Sequence, residues 1–88
     1  MTETLSASVD LLDGMAFRAT TGTGHTLVMD AAPQVGGGEA GPRPMEMLLV
    51  GLGGCTGMDV ISILRKMRQN VSGYQIRLRG ERAPDHPK

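Results

Sequence analysis

Apolar and polar residues alternate over the first thirty positions, which is the period of a strand with one buried face. Residues 5–11 place an apolar side chain at every odd position, residues 15–20 repeat the pattern, and residues 25–30 form a third run. Asp13-Gly14 and residues 20–24 separate these runs with residues typical of tight turns. The pattern therefore predicts an antiparallel meander of three strands.

The pattern changes after the third run. Residues 31–43 are rich in Pro and Gly, including three consecutive glycines at 36–38, and are typical of a surface loop or lid. Pro44 with Glu46 close behind fits the first turn of a helix, and apolar positions then continue to Leu64. Basic residues close this helix, where they oppose the negative end of its dipole: Arg65, Lys66 and Arg68.

Four glycines interrupt the apolar helix, at positions 51, 53, 54 and 57. They either break the helix near residue 53 or allow another backbone to approach a buried helix closely, and we favour close packing. Each would cost roughly 1 kcal/mol in an ordinary exposed helix. Because Glu46 and Asp59 interrupt the apolar run, we do not expect this segment to span a membrane.

A last alternation, of Tyr74, Ile76 and Leu78 with polar neighbours, predicts a fourth strand. The fold class is therefore α+β. We expect a single domain over residues 1–88 with a three-stranded antiparallel meander, a long central helix that carries Cys55, and a further strand.

Composition limits the classes of partner. Nine Lys and Arg balance nine Asp and Glu, which argues against nucleic acid or an anionic membrane as the main partner. The first residues have neither a basic nor an apolar segment of the secretory type, so we expect a cytoplasmic protein. A chain of 88 residues with 2% aromatic residues has little material for a core, so a lone monomer would be marginal.

Cys55 is the only cysteine and the one strong nucleophile in a distinctive setting, among small residues between Gly51 and Asp59. It is either a buried structural thiol, as free cysteines often are, or a reactive one with room for a ligand or a partner helix beside it. The two histidines and Cys55 lack metal-ligand spacing, and the glycines lack a nucleotide-binding pattern. We expect no metal and no cofactor.

Helical spacing limits which groups can act on the Cys55 thiol. Glu46 lies nine positions earlier, about 180° around the helix and roughly 13 Å along it, so it must act across a fold or subunit boundary. Asp59 shares the face of Cys55, but its negative charge disfavours a thiolate unless a cation neutralises it. Arg18 and Arg43 are the cations that we expect near the site.

Residues 41–64 resemble the OsmC/Ohr family, and especially its OsmC-like, YhfA-type branch. The resemblance rests on a proline, an acidic residue, an apolar helix, Gly-Gly-Cys and Asp-Val, with the glycine loop before and residues 81–88 after. It implies an intertwined homodimer with the cysteine helices at its centre. It also implies reduction of an organic hydroperoxide substrate at the expense of a thiol reductant.

By position in this resemblance, Cys55 is the peroxidatic cysteine, and Glu46 is the acid that holds an arginine near the thiolate, for which Arg18 is our candidate. The family resolves the resulting sulfenic acid with a second cysteine in a later helix. The resemblance implies that these residues form about the first two thirds of the domain, so we expect incompleteness at the C-terminus or resolution by an external thiol. The alternative is a non-enzymatic dimeric binding or structural protein.

Overall fold

The computed structural model describes residues 2–82, which fall into two units with the boundary between Glu46 and Met47. The first unit holds a small sheet and the loop that follows it. The second holds most of the helix and the segment after it. The part of the predicted family match at residues 83–88 lies outside the described residues.

The sheet of the first unit has three antiparallel strands: β1 (Ala7–Leu11), β2 (Phe17–Thr21) and β3 (Thr26–Met29), in the order β1-β2-β3. This confirms the predicted meander. Gly14 and Gly24 adopt positive φ angles of 58° and 87° in the two connecting turns, a conformation that glycine adopts without steric cost.

One face of this sheet is apolar, because the register brings the odd positions of all three strands together. Leu11 pairs with Phe17, which pairs with Met29, and Val9, Ala19 and Leu27 form the next row. Val9 and Leu11 remain 53% and 61% exposed. The described residues of this unit therefore leave an apolar sheet face largely open to solvent.

Asp30 directly follows β3 and organises the loop that returns to the helix. Its carboxylate accepts hydrogen bonds from the backbone N–H groups of Ala31 at 2.7 Å, Gly38 at 3.2 Å and Ala40 at 3.0 Å. Asp30 is 5% exposed and is the one buried polar residue in the described chain. These hydrogen bonds, led by that from Ala40, lower the pKa of the carboxyl below its usual value, against an opposing effect of desolvation.

The helix, α1 (Pro44–Lys66), runs without a break through all four glycines. It begins with half of a capping box, in which the Glu46 side chain accepts a hydrogen bond from the Arg43 N–H at 2.9 Å. It ends in a Schellman motif, with Gln69 N–H donating to the Leu64 carbonyl and Arg68 N–H to that of Arg65. The interpretation that the glycines break the helix near residue 53 is therefore wrong.

The fourth strand predicted at residues 74–79 does not form within the described chain. A strand needs a hydrogen-bonded neighbour, and residues 70–82 belong to no ladder. Two apolar residues of this alternation nevertheless contact the helix: Ile76 lies against Gly57, and Leu78 lies against Gly53. The prediction of a strand was therefore wrong, because these residues pair with no strand within residues 2–82.

Arg68 should be replaceable by glycine with a gain in stability. It has a φ of 57°, in the left-handed region that a side chain disfavours by about 1 kcal/mol. We expect Arg68→Gly to raise the free energy of unfolding by about that amount in urea titrations. Arg65→Gly, within the last helical turn, is the control and should lower it by about 1 kcal/mol. A loss of stability in Arg68→Gly would contradict the assigned cap.

Asp30 should make stability depend on pH in the acid range. A carboxyl whose pKa is lower folded than unfolded stabilises the fold above its unfolded pKa, near 3.8, and loses that effect as the pH falls through the folded pKa. We expect Asp30→Asn to be less stable than the parent at pH 6, with a difference that shrinks below pH 3.8. Glu3→Gln, at an exposed carboxylate, controls for the lost charge. A difference independent of pH would contradict the assignment.

Candidate functional site

Cys55 lies in the middle of α1 and is exposed in the described chain. Residues three, four and seven positions away share its side of the helix. Leu48, Leu52 and Met58 on that side are 66%, 59% and 73% exposed. The thiol therefore lies on an apolar, uncovered side of the helix, which we call the Cys55 face (Leu48, Gly51, Leu52, Cys55, Met58, Asp59).

The opposite side of the helix is the one that the rest of the second unit covers. A methyl group on Gly53 would lie 2.6 Å from Leu78 Cδ1, and one on Gly57 would lie 3.2 Å from Ile76 Cδ1. By contrast, a methyl group on Gly51 or Gly54 would meet nothing within 4 Å. The close approach that we predicted from the glycines is thus made by side chains, at two of the four positions.

An open groove of about 660 Å³ runs between the helix and residues 71–78. Its walls are mostly apolar, and its polar side chains, Arg65, Ser72 and Tyr74, belong to the end of the helix and the start of the following segment. Sequence reasoning treated Arg65 only as a solvated helix end. Its place in the groove depends on how the chain turns back after residue 70, which no local pattern reveals.

Glu46 lies in the first turn of α1, where its side chain caps the Arg43 N–H. Arg43 in turn places Nη2 3.3 Å from Glu39 Oε1, in an ion pair that is more than half exposed. Sequence reasoning assigned Glu46 to the helix dipole and missed the hydrogen bond. An acid three residues after the N-cap is the signal that could have revealed it.

Arg18 lies in the central strand β2, exposed, directly opposite Asp10 of β1 and Val28 of β3. It belongs to the polar face of the sheet. Arg18 and Glu46 are thus in the first unit and Cys55 is in the second. Asp59 follows Cys55 by one helical turn and is also exposed. Residues 2–82 bring together no group of three His, Cys, Asp or Glu side chains able to hold a metal.

The helix also has the length and composition of a membrane span. Its most apolar 18-residue window has a mean hydropathy of 1.8, and none of that window is buried in the described chain. Core helices of soluble proteins have the same properties, so length and hydropathy do not decide between a lipid and a protein environment. The length and hydropathy of α1 show that its exposure to water is unfavourable.

Single alanine substitutions should distinguish a glycine that Leu78 contacts from one beside open space. Gly54→Ala should raise the free energy of unfolding by up to about 1 kcal/mol, because the methyl group enters open space and alanine favours the helix. Gly53→Ala should gain less, because Leu78 must move to admit the methyl group. Urea titration at low protein concentration measures both. A larger gain at Gly53 than at Gly54 would contradict the assigned packing.

Comparisons with known proteins identify the family of this chain. Residues 36–88 match the family described as OsmC-like protein. Protein YhfA of Escherichia coli strain K12 is 37% identical over 84 residues, which are 96% of this chain and 60% of YhfA. The YhfA proteins of Escherichia coli O157:H7 and Shigella flexneri match with the same identity and coverage. The chain thus spans 60% of the length of these relatives. Since the family match covers more than half of its residues, the chain belongs to the OsmC-like protein family.

Proposed function

We propose that this protein reduces organic hydroperoxides through Cys55. The observation that carries the proposal is the exposure of this thiol at the centre of an apolar helix face, with open space at Gly51. A peroxide can reach the sulfur there, and the apolar side chains favour an organic substituent over water. Membership of the OsmC-like family supports the same function.

The reaction begins when the Cys55 thiolate attacks the peroxide oxygen distal to the organic group. A sulfur–oxygen bond forms and the oxygen–oxygen bond breaks, so that sulfur is oxidised to a sulfenic acid and the organic part leaves as an alcohol after taking up a proton. A thiol reductant then condenses with the sulfenic acid, releasing water and leaving a mixed disulfide. A second reductant thiol breaks that disulfide and restores Cys55.

Cys55 is the one cysteine among these 88 residues, and an external thiol acts as the reductant in the scheme that we propose. A dithiol reductant supplies both thiols that the cycle needs. The proposed setting of the reaction is the cytoplasm, where small thiols remain reduced.

The active form that we propose is a homodimer. Each unit exposes an apolar face, on the sheet at Val9 and Leu11 and on the helix at Leu48 and Met58. Glu46 lies on the side of the continuous helix opposite Cys55. Its proposed role of holding Arg18 near a thiolate therefore requires a contact made across a fold or subunit boundary. A second copy supplies such a boundary.

We also propose that protein, and not lipid, covers the helix. One side of α1 already contacts Ile76 and Leu78 of its own unit, and Asp59 lies on the Cys55 face. A carboxylate near the centre of a lipid-facing helix is costly. A protein partner can leave such a group at the rim of its interface, in contact with water.

A second candidate function is non-enzymatic binding on the same scaffold. The observations that favour it are the single cysteine and the apolar groove of the second unit, which has Arg65 at its polar end. In that case Cys55 serves in packing or ligand contact. The two functions differ in the fate of the thiol when a peroxide is added.

The deciding experiment follows the Cys55 thiol after addition of cumene hydroperoxide. We expect rapid loss of one thiol per chain, trapping of a sulfenic acid by dimedone, and repeated turnover once dithiothreitol is present. Hydrogen peroxide should react more slowly, because it gains nothing from the apolar face. Mass spectrometry of the trapped peptide and consumption of peroxide measure these outcomes.

The matched controls separate folded reactivity from that of an ordinary thiol. Cys55→Ser should neither consume peroxide nor turn over, and the same chain unfolded in urea should lose its thiol slowly. Glu46→Gln, which keeps an oxygen to accept the capping bond, should slow the reaction through loss of charge. Equal rates for folded and unfolded chains would overturn the peroxidase proposal and leave the binding function.

A further inference from the structure

The groove of the second unit lies on the side of α1 that faces away from Cys55. Gly53 and Gly57 line it, and each is two positions from Cys55, or about 160° around the helix. Arg65 stands at one end of the groove and Gly53 near the other, so the groove follows about 18 Å of helix at 1.5 Å per residue. Its volume of about 660 Å³ is within the range of small-molecule sites.

Part of this groove is open space above Gly54. A methyl group on Gly54 would meet nothing within 4 Å, whereas one on Gly53 or Gly57 would meet Leu78 or Ile76. The aliphatic side chains that flank this space carry no hydrogen-bonding group. The space therefore favours an apolar ligand part, because a polar one would give up contacts with water and gain none with the protein.

The other end of the groove is cationic and polar. Among the described residues that line it, Arg65 is the one charged residue, and Ser72 and Tyr74 add two hydroxyl groups. Within residues 2–82, the side chains of these three residues take part in no ion pair and no hydrogen bond. A guanidinium group can donate two parallel hydrogen bonds to one carboxylate, so this end is suited to an anionic head group.

The charge of the second unit also favours an anion. Residues 47–88 contain seven Lys or Arg and three Asp or Glu, a net charge of +4. Lys66 and Arg68 accompany Arg65 at the end of the helix. The negative end of the helix dipole, equivalent to about half an elementary charge, would by itself disfavour an anion there, but three cations outweigh it.

We propose that this groove binds a fatty carboxylate, which is a single alkyl chain with one anionic head. The head pairs with Arg65, and the chain lies over Gly54 between the helix and residues 71–78. The inference rests on the second candidate function, for which it names the class of ligand. It does not depend on the peroxide chemistry, because the groove and Cys55 are on opposite sides of the helix.

Titration calorimetry of the 88-residue chain with dodecanoate, kept below the concentration at which micelles form, tests the ligand class. We expect the affinity to rise about two- to fourfold per methylene from octanoate to dodecanoate. Dodecyltrimethylammonium, which has the same chain and a cationic head, should bind at least about tenfold more weakly. Equal or tighter binding of this cation would overturn the carboxylate and leave a binding function standing. Absence of binding by both amphiphiles would overturn the groove as a binding site.

Matched variants locate the binding, because the sheet and the Cys55 face also expose apolar side chains. Arg65→Gln should weaken dodecanoate binding about tenfold or more, whereas Lys66→Gln, an equal loss of charge outside the groove, should have little effect. Gly54→Leu should block the chain while the helical circular dichroism is kept, and Gly51→Leu, on the Cys55 side, should bind normally. Equal affinities within either pair would overturn the proposal. Loss of the Cys55 thiol to cumene hydroperoxide tests the peroxidase proposal separately.

Discussion

The main constraint on this structure is the apolar surface of α1, whose exposure to water is unfavourable. This helix is 23 residues long, apolar over most of its length, and none of its residues is buried within the described chain. Removal of apolar surface from water is the main favourable term in folding, at roughly 25 cal/mol per Å². A helix that stays uncovered forgoes most of that stabilisation. Cys55 lies on the open side of α1, so the homodimer and the peroxide chemistry that we propose concern the same surface.

Local hydrogen bonds hold the loop and the two ends of the helix in this short chain. Asp30 holds the loop through three backbone N–H groups, Glu46 caps the start of the helix, and the Schellman motif at Arg68 ends it. These contacts define the ends of elements without supplying a core. The described chain thus consists of well-bounded elements whose apolar faces, on the sheet and on the Cys55 side of the helix, are exposed.

Local patterns predicted the elements well, because each depends on residues close in sequence. Alternation around Val9 and Leu27 identified the strands, and Pro44 identified the start of the helix. Sequence could not show whether the glycines break the helix, because the local cost of a glycine does not reveal what packs against it, as Leu78 does at Gly53. The strand predicted from the alternation at residues 74–79 does not form in the described chain, because strand pairing depends on a neighbour that the pattern does not specify.

The candidate site was less predictable for the same reason. Its central residue, Cys55, is recognisable from its own segment, and the family comparison supports that segment. Arg18 belongs to the other unit, and Glu46 lies on the opposite side of the helix that carries Cys55, so local spacing assigns neither of them to the thiol. The Asp30 contacts were missed because they join residues up to ten positions apart through backbone groups.

Sedimentation equilibrium of the reduced protein in buffer without detergent tests the central claim most directly, since it asks what covers α1. The account predicts a mass of twice the 9.3 kDa chain, reached reversibly as concentration rises. A stable mass of one chain at every concentration, or a soluble species obtained only with detergent micelles, would contradict it.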